Sequence, residues 1–396
     1  MFPTDIVIVA GARTPMARYT GSFSEVSAIE LGAYASKAAI QRAGVDSAEI
    51  DHAIFGNVLQ TSSDAIYGAR HVALKAGLKM ETPAVTVNRL CGSGIEAVIQ
   101  AAQRLLLGEA TIVLAGGMEN MTQAPFVIRG ARTGLKLGGG VLEDFLFVGL
   151  TDTYCGLPMA LTAEKLADQK GITRKDSDAY ALRSQQAAEA AHKAGYFKEE
   201  IAPVEVKQGK KTIVVSEDDH RRPETTMETL EKLPPSFKKD GMVTAGNASG
   251  IVDGAAAVIV TREKVAQERG LKLLGRIVSW AVTGVDPSIM GIGPVPSTRK
   301  ALQLAGLKVA DLDRVEVNEA FASQYLAVEK ELGLNRDKTN VNGGAIALGH
   351  PLGASGTRLL ITVLYELRRK NLRYGLATAC IGGGQGIAII VEAVAN

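Results

Sequence analysis

The chain has 396 residues, 46% of them apolar, which is enough for two or three domains or one large duplicated unit around a sizeable core. Its 44 basic and 42 acidic side chains leave a formal charge of +2, without the basic excess of a nucleic-acid binder or the acidic excess of a disordered solvating chain. Three cysteines, Cys91, Cys155 and Cys380, are too few and the wrong parity for a disulfide framework and point to a reducing compartment.

Met1–Asp5 runs almost at once into a strand at Ile6–Ala10, with none of the segments of a secretion signal. Ile29–Ala43 has helical spacing and stops at Gly44, a residue suited to the left-handed C-terminal cap. Ala84–Val87 reads as a strand, Ser93–Leu107 as a helix and Thr111–Ala115 as a strand, so the alternation predicts an α/β architecture with buried strands. From Glu119 to Gly250 the long apolar runs thin out. Helices at Ala163–Asp168 and Ser177–Ala194 are polar on one face, while Lys207–Lys211, His220–Pro223 and Leu233–Pro235 are charged or turn-like. An insertion of this size is more often functional than decorative. No stretch of about 18 apolar residues is present to span a membrane, and Ala393–Asn396 is not a peroxisomal address.

The second half repeats the first. Ala39, Gln41, Ala43, Gly44 and Asp51 recur 262 residues later as Ala301, Gln303, Ala305, Gly306 and Asp313, and the same offset carries Ser93 and Gly94 onto Ser355 and Gly356. Two α/β helices that merely look alike would not share one offset across separated blocks, so one α/β unit is expected to be duplicated.

Four loops carry candidate chemistry. In Asn88-Arg89-Leu90-Cys91-Gly92-Ser93-Gly94, a cysteine stands at a strand-to-helix turn, where the helix dipole is expected to lower its pKa; the bland alternative is a small cysteine packing a turn. Asn342–Gly356 is glycine-rich and holds His350. Its Gly353 is the repeat equivalent of Cys91, so a pseudo-twofold would bring the two loops together and make a Cys–His pair; the alternative is a histidine capping the following helix. In Ala379-Cys380-Ile381-Gly382-Gly383-Gly384-Gln385-Gly386, a second cysteine precedes exposed N–H groups able to bind an oxyanion. A nucleotide-phosphate loop is the weaker reading there, because no Lys, Ser or Thr follows. Asn318-Glu319-Ala320-Phe321 puts an amide at a strand end, a weak signal alone. His52, His71, His192 and His220 are assigned no role.

Together, in this order, the four loops resemble the signature loops of the thiolase family, and Thr244-Ala245-Gly246-Asn247-Ala248-Ser249-Gly250 resembles its pantetheine-contacting segment. The resemblance covers essentially the whole chain. It implies an α/β fold of two βαβαβαββ halves in a five-layer αβαβα core with an inserted loop domain: residues 1–118 plus 251–270 as the first half, 119–250 as the insertion for coenzyme A and oligomer contacts, and 271–396 as the second half. It implies Cys91 as the nucleophile, His350 as its base and Cys380 as a second acid/base. His350 and a water held by Asn318 would form one oxyanion hole, and the N–H groups of Cys91 and Gly382 the other. Ser249, Ala248, Arg222, Met159 and Phe321 are implied to contact coenzyme A or the acyl group, with Lys210 and Lys211 either joining Arg222 or forming a solvated face. The resemblance further implies no metal and no bound cofactor beyond the coenzyme A and acyl-CoA substrates, a homo-oligomer with a tetramer favoured over a dimer, and no nucleic-acid or membrane partner.

The chain departs from the short-chain acetoacetyl-CoA members at Pro158, where those carry a histidine near the acyl pocket. Gly56–Arg70 and Met290–Pro296 look closest to the mitochondrial-type 3-ketoacyl-CoA thiolases, which implies short- to medium-chain substrates. The bacterial cytoplasm is the expected compartment and the mitochondrial matrix the alternative. Two rivals are a decarboxylating ketoacyl synthase-like condensing enzyme, which needs no base like Cys380, and a non-catalytic coenzyme A-binding protein, which would damage at least one of the four loops.

Overall fold

Nine strands of one mixed sheet organise the computed structural model, which describes residues 5–394. The expectations for Met1–Thr4 and for Ala395 and Asn396 lie outside the described residues. The strands are β1 (Ile6–Arg13), β2 (His52–Gly56), β3 (Ala84–Val87), β4 (Ile112–Glu119), β5 (Val252–Arg262), β6 (Gly275–Gly284), β7 (Arg314–Val317), β8 (Tyr374–Ile381) and β9 (Gln385–Glu392). Their order is β7-β8-β9-β6-β1-β5-β4-β2-β3, with the short strand Ala17–Arg18 alongside β5. The two halves meet where β1 pairs antiparallel with β6, Val7 opposite Arg276 and Ile8 opposite Gly275. The repeat is visible residue for residue. Shifted by 262, the first residue of β2 lands on the first of β7, and both ends of β4 land on the ends of β8.

The principal helices are α1 (Ala28–Ala43), α2 (Gly68–Lys75), α3 (Ser93–Leu107), α4 (Met159–Lys170), α5 (Arg174–Lys193), α6 (Pro294–Ala305), α7 (Ala322–Leu332) and α8 (Leu352–Arg369). Local chemistry sets their ends. Ser27 and Glu30 form a capping box at the start of α1, and Thr173 and Asp176 form one before α5. α1 and its repeat equivalent α6 both stop at a left-handed glycine, Gly44 and Gly306.

Three apolar cores define five layers. α1 and α2 cover the outer face of the first half's strands, and α6 and α7 cover the outer face of the second's. Between the two sets of strands lies a central core, in which α3 and α8 pack against inward-facing residues of both halves, such as Val258 and Ile389. α3 and α8 approach backbone to backbone. A Cβ on Gly94 would lie 2.5 Å from the Thr357 nitrogen, and one on Gly356 would lie 2.5 Å from the Ile95 nitrogen. These two contacts are exchanged by the repeat offset, so the pseudo-twofold runs between them.

Residues 120–251, between β4 and β5, carry α4, α5 and the hairpin Val204–Gln208/Lys211–Val215. Fully buried Arg13 ties this segment to β1, its guanidinium bonding Glu200 at 2.9 Å and both oxygens of Asp218 at 2.7 and 2.9 Å. Several elements are longer than their apolar patterns suggest. β4 continues beyond Ala115 to Glu119, because Gly116 and Gly117 serve close packing and not a turn: a Cβ on Gly117 would fall 1.9 Å from the Gly353 carbonyl oxygen. α4 and α5 likewise begin before Ala163 and Ser177.

Gly94→Ala and Gly356→Ala each force a methyl group into backbone that has no side chain to move aside. Each is expected to lower unfolding stability by about 1–3 kcal/mol, read as a lower denaturant midpoint. Unchanged midpoints would contradict the close crossing.

Candidate active site

Cys91 stands in a single 3₁₀ turn, Leu90–Gly92, between β3 and α3. The turn is strained, with Leu90 at φ 47°, a left-handed conformation unusual for a branched side chain. Local hydrogen bonds hold it. The Leu90 N–H donates to Asn88 Oδ1 at 3.0 Å, the Arg89 N–H donates to Ser93 Oγ at 2.8 Å, and that hydroxyl donates to the Leu90 carbonyl at 2.7 Å. Arg89 also donates to Gln385 Oε1 at 2.9 Å, joining this turn to the glycine loop of the second half. From that loop the Gly382 N–H, together with the N–H of Cys91 itself, faces the Cys91 sulfur.

His350 is buried, and its ring is fixed at both nitrogens. Nδ1 lies 2.5 Å from Ser355 Oγ and Nε2 lies 3.2 Å from Asn318 Nδ2. Ser355 donates its proton to the Pro351 carbonyl at 2.9 Å, so its oxygen accepts from Nδ1–H. That assignment makes Nε2 the acceptor, and the Asn318 side-chain amide donates to it. Asn318 stands at the end of β7, its N–H donating to the Thr378 carbonyl at 2.9 Å, and its Oδ1 is buried with no protein partner among the described residues. Leu352, two residues after His350, packs in the same apolar cluster as Cys91. Cys380 is fully buried and close enough to feel the charge of Cys91.

The electrostatics correct one expectation. The Cys91 thiol is not lowered by the α3 dipole. Burial pushes it up to about 11, only partly offset by the N–H groups of Gly382 and Cys91, and the carboxylate of Glu119 adds to the rise. Burial also raises the Cys380 thiol, reinforced by Cys91. His350 is pushed down to about 3, by burial first and by the positive charge of Arg358 second. At rest both groups are therefore neutral, one a thiol and the other an imidazole.

The segment Ala248–Gly250 connects the loops. The Ser249 N–H donates to the Ala320 carbonyl at 3.0 Å, Ala248 bridges Phe321, and the His350 N–H donates to the Gly250 carbonyl at 2.9 Å. Met159, at the start of α4, reaches Gly382, where a Cβ would lie 3.2 Å from its sulfur; with Phe321 it packs against the cluster of Met290, Ala320 and Cys380. Arg222 is exposed, its N–H donating to Gln185 Oε1 at 2.9 Å. Lys210 and Lys211 sit instead at the tip of the hairpin whose strands pack on the α1 side of the core, as the solvated face.

Other participants were given no role by the sequence. Ser355 was notable only as a repeat position, yet it orients His350. Glu319 accepts from Tyr180, Ser184, Asn340 and the Ile346 N–H at 2.6 to 3.1 Å, locking the Asn318 loop to α5 and to the segment before His350. Fully buried Glu119 accepts from the N–H groups of Val58, Leu59 and Gly353 at 2.8 to 3.1 Å, clamping the start of α8 to the first half.

Family models described as "Thiolase, N-terminal domain" and "Thiolase, C-terminal domain" match residues 6–264 and 271–393. The chain is 54% identical over 393 residues to the human mitochondrial 3-ketoacyl-CoA thiolase, covering 98% of each chain. It is 50% identical over 388 residues to the Escherichia coli acetyl-CoA acetyltransferase, again covering 98% of each. Among solved structures it superposes on the human mitochondrial 3-ketoacyl-CoA thiolase in complex with CoA with a TM-score of 0.96 at 53% identity, covering 99% of this chain and 98% of that one. On the Bacillus anthracis acetyl-CoA acetyltransferase the TM-score is 0.97 at 42% identity, covering 99% of both.

A neutral resting pair has a pH signature. Alkylation of Cys91 by iodoacetamide in the free protein is expected to climb about tenfold per pH unit from about pH 6 to about pH 9 without levelling, because only the thiolate reacts. A plateau starting near neutrality would reveal a thiolate–imidazolium pair instead.

Proposed function

This chain belongs to the thiolase family, and we propose that it cleaves short- to medium-chain 3-ketoacyl-CoA with free coenzyme A through an acyl-Cys91 intermediate, with the groups below carrying the steps. It is an acyltransferase acting on coenzyme A thioesters, and the same site serves the reverse Claisen condensation of two acetyl-CoA to acetoacetyl-CoA. One observation carries the assignment of roles: the Gly382 N–H from the second half faces the sulfur of Cys91 from the first, with Cys380 close by.

In cleavage, His350 Nε2 takes the Cys91 proton as the sulfur attacks the 3-keto carbon. The N–H groups of Cys91 and Gly382 receive the tetrahedral oxyanion, fixed donors aimed where charge develops. Breaking the C2–C3 bond sends its electron pair into the enolate of acetyl-CoA. Protonated His350 and a water on Asn318 Oδ1 hold that enolate oxygen, and Cys380 gives its proton to C2. The Cys380 thiolate then takes the proton of the incoming coenzyme A thiol, whose sulfur attacks the acyl-Cys91 carbonyl. Cys91 leaves and recovers its proton from His350. The two oxyanions arise at different places, so two holes are required, and the covalent intermediate divides one hard transfer into two easier ones.

Ala248, Ser249, Met159 and Phe321 are assigned to the pantetheine and acyl groups, supported by their backbone and side-chain contacts with the catalytic loops. Arg222 is assigned to the nucleotide end. Pro158 at the entry to α4 supports acyl groups larger than acetyl, a specificity suited to fatty-acid β-oxidation. The chain is assigned to a homotetramer. The edge strand β3 offers unpaired backbone groups, and exposed Leu137, Val141, Leu142 and Phe126 lie together on one loop of the insertion. Three free cysteines suit a reducing compartment, here the bacterial cytoplasm.

Intact mass after mixing with acetyl-CoA tests the mechanism. The native protein is expected to gain one acetyl group and Cys91→Ala none. Cys380→Ala should still acetylate while losing condensation by about 10²–10⁴-fold. An adduct that survives Cys91→Ala would overturn the reading. For substrate class, kcat/KM in thiolysis should persist well beyond acetoacetyl-CoA; a collapse past four carbons would contradict it.

A further inference from the structure

Resting on the thiolase reading, we infer that Arg89, through its hydrogen bond to Gln385, is the positioning residue that sets the spacing of the oxyanion donors, the N–H groups of Cys91 and Gly382. The two donors come from different halves of the chain. Cys91 lies in the turn between β3 and α3, and Gly382 opens the turn between β8 and β9. An oxyanion site acts only when its donors are fixed beforehand where charge will develop. The glycine turn has no side chain of its own to fix it, since Gly382, Gly383 and Gly384 follow one another and the last two sit at positive φ. Beside Cys91, Leu90 is held left-handed at φ 47°, a conformation that persists only where its surroundings over-determine it.

Arg89 joins the two turns. Its Nε donates at 2.8 Å to Glu96 in the first turn of α3, and Gln100, one turn further on, donates to the other oxygen of Glu96 at 2.8 Å. Its Nη1 donates to Gln385 Oε1 at 2.9 Å. Gln385 closes the glycine turn, and its backbone is fixed by the sheet on both sides, opposite Ile381 on β8 and opposite Gly284 on β6. The guanidinium between these anchors is planar and rigid, so it holds α3 and β9 at a set distance. Two apolar contacts share the seam. A Cβ on Gly92 would lie 2.6 Å from Ile381 Cδ1, and one on Gly382 would lie 3.3 Å from Leu90 Cδ1. Such contacts resist compression but are not directional, whereas the Arg89–Gln385 bond fixes where one turn stands along the other. The groups that shift the Cys91 thiol are Gly382, Cys91 itself and Glu119, and Arg89 is not among them. It therefore acts through position and not through its charge on the sulfur. A displacement of about 1 Å at such a site is enough to cost about 10²-fold in rate.

The test compares two reactions of Cys91 in the same preparations. Acetylation by acetyl-CoA passes through a carbonyl oxyanion, while alkylation by iodoacetamide displaces iodide and forms none. In Arg89→Met and in Gln385→Leu, the saturating rate of acetylation, followed by intact mass, is expected to fall about tenfold or more. The acetyl-CoA concentration for half that rate, the alkylation rate and its pH dependence should stay within about twofold of native, because the thiol keeps its surroundings. The double variant should be no slower than the slower single, since both lose the same bond. Gln385→Glu, which keeps the acceptor, should retain the native rate. Should Arg89→Met fail to fold, Gln385→Leu carries the same comparison. Native acetylation rates in the folded variants, additive losses in the double variant, or acetylation and alkylation falling together would each overturn the positioning role. If the native protein forms no acetyl adduct at all, the underlying thiolase mechanism fails and this role falls with it; if the native protein acetylates and the variants match it, the positioning role alone is wrong.

Discussion

The constraint on which the structure depends is the backbone approach of α3 and α8 at Gly94 and Gly356, where neither helix has room for a Cβ. Each helix starts just beyond a loop of the candidate site. Bringing them together on the pseudo-twofold therefore brings Cys91 at the head of α3 close to Leu352, and so to the His350 loop, at the head of α8. The same closeness explains Gly117, which sits against the Gly353 carbonyl inside a strand. The crossing is built on glycines, Gly94, Gly117, Gly353 and Gly356, each with backbone within 3 Å of where a Cβ would stand.

A duplicated unit could have produced two equivalent sites, but the two helix starts are used differently. At the head of α8, the Gly353 N–H is taken by the buried carboxylate of Glu119. At the equivalent position in the first half, the N–H of Cys91 and its partner Gly382 turn toward a sulfur. One helix start is filled from within by a carboxylate; the other carries the Cys91 sulfur instead. Burial then decides the protonation states. It outweighs the N–H groups of Gly382 and Cys91 at the thiol and keeps His350 neutral, so both groups rest uncharged.

Much of this was legible in the residues. The repeat offset revealed the duplication that the equivalent strands β2 with β7 and β4 with β8 display, and the periodicity placed β3 and α3 at their observed ends. These signals survive because they are local and periodic. What could not be read depends on contacts between distant segments. The role of Gly117 in β4 emerges only once the Gly353 carbonyl is opposite it. The direction of the Cys91 shift depends on how much water the segments packed around this half-buried turn exclude, which no spacing encodes. Ser355 becomes the orienter of His350 only once the first turn of α8 folds back, and Glu319 becomes a hub only when α5 of the insertion lies over it.

The central claim is that one reaction centre is assembled from both halves, with the Cys91 and Gly382 N–H groups as its oxyanion site. A crystal structure of the protein trapped with an acetyl group tests it most directly. The account predicts the acetyl on Cys91, its carbonyl oxygen within hydrogen-bond distance of both N–H groups, and the His350 ring still held by Ser355. An acetyl group on another residue, or a carbonyl oxygen turned away from Gly382 toward Asn318, would contradict it.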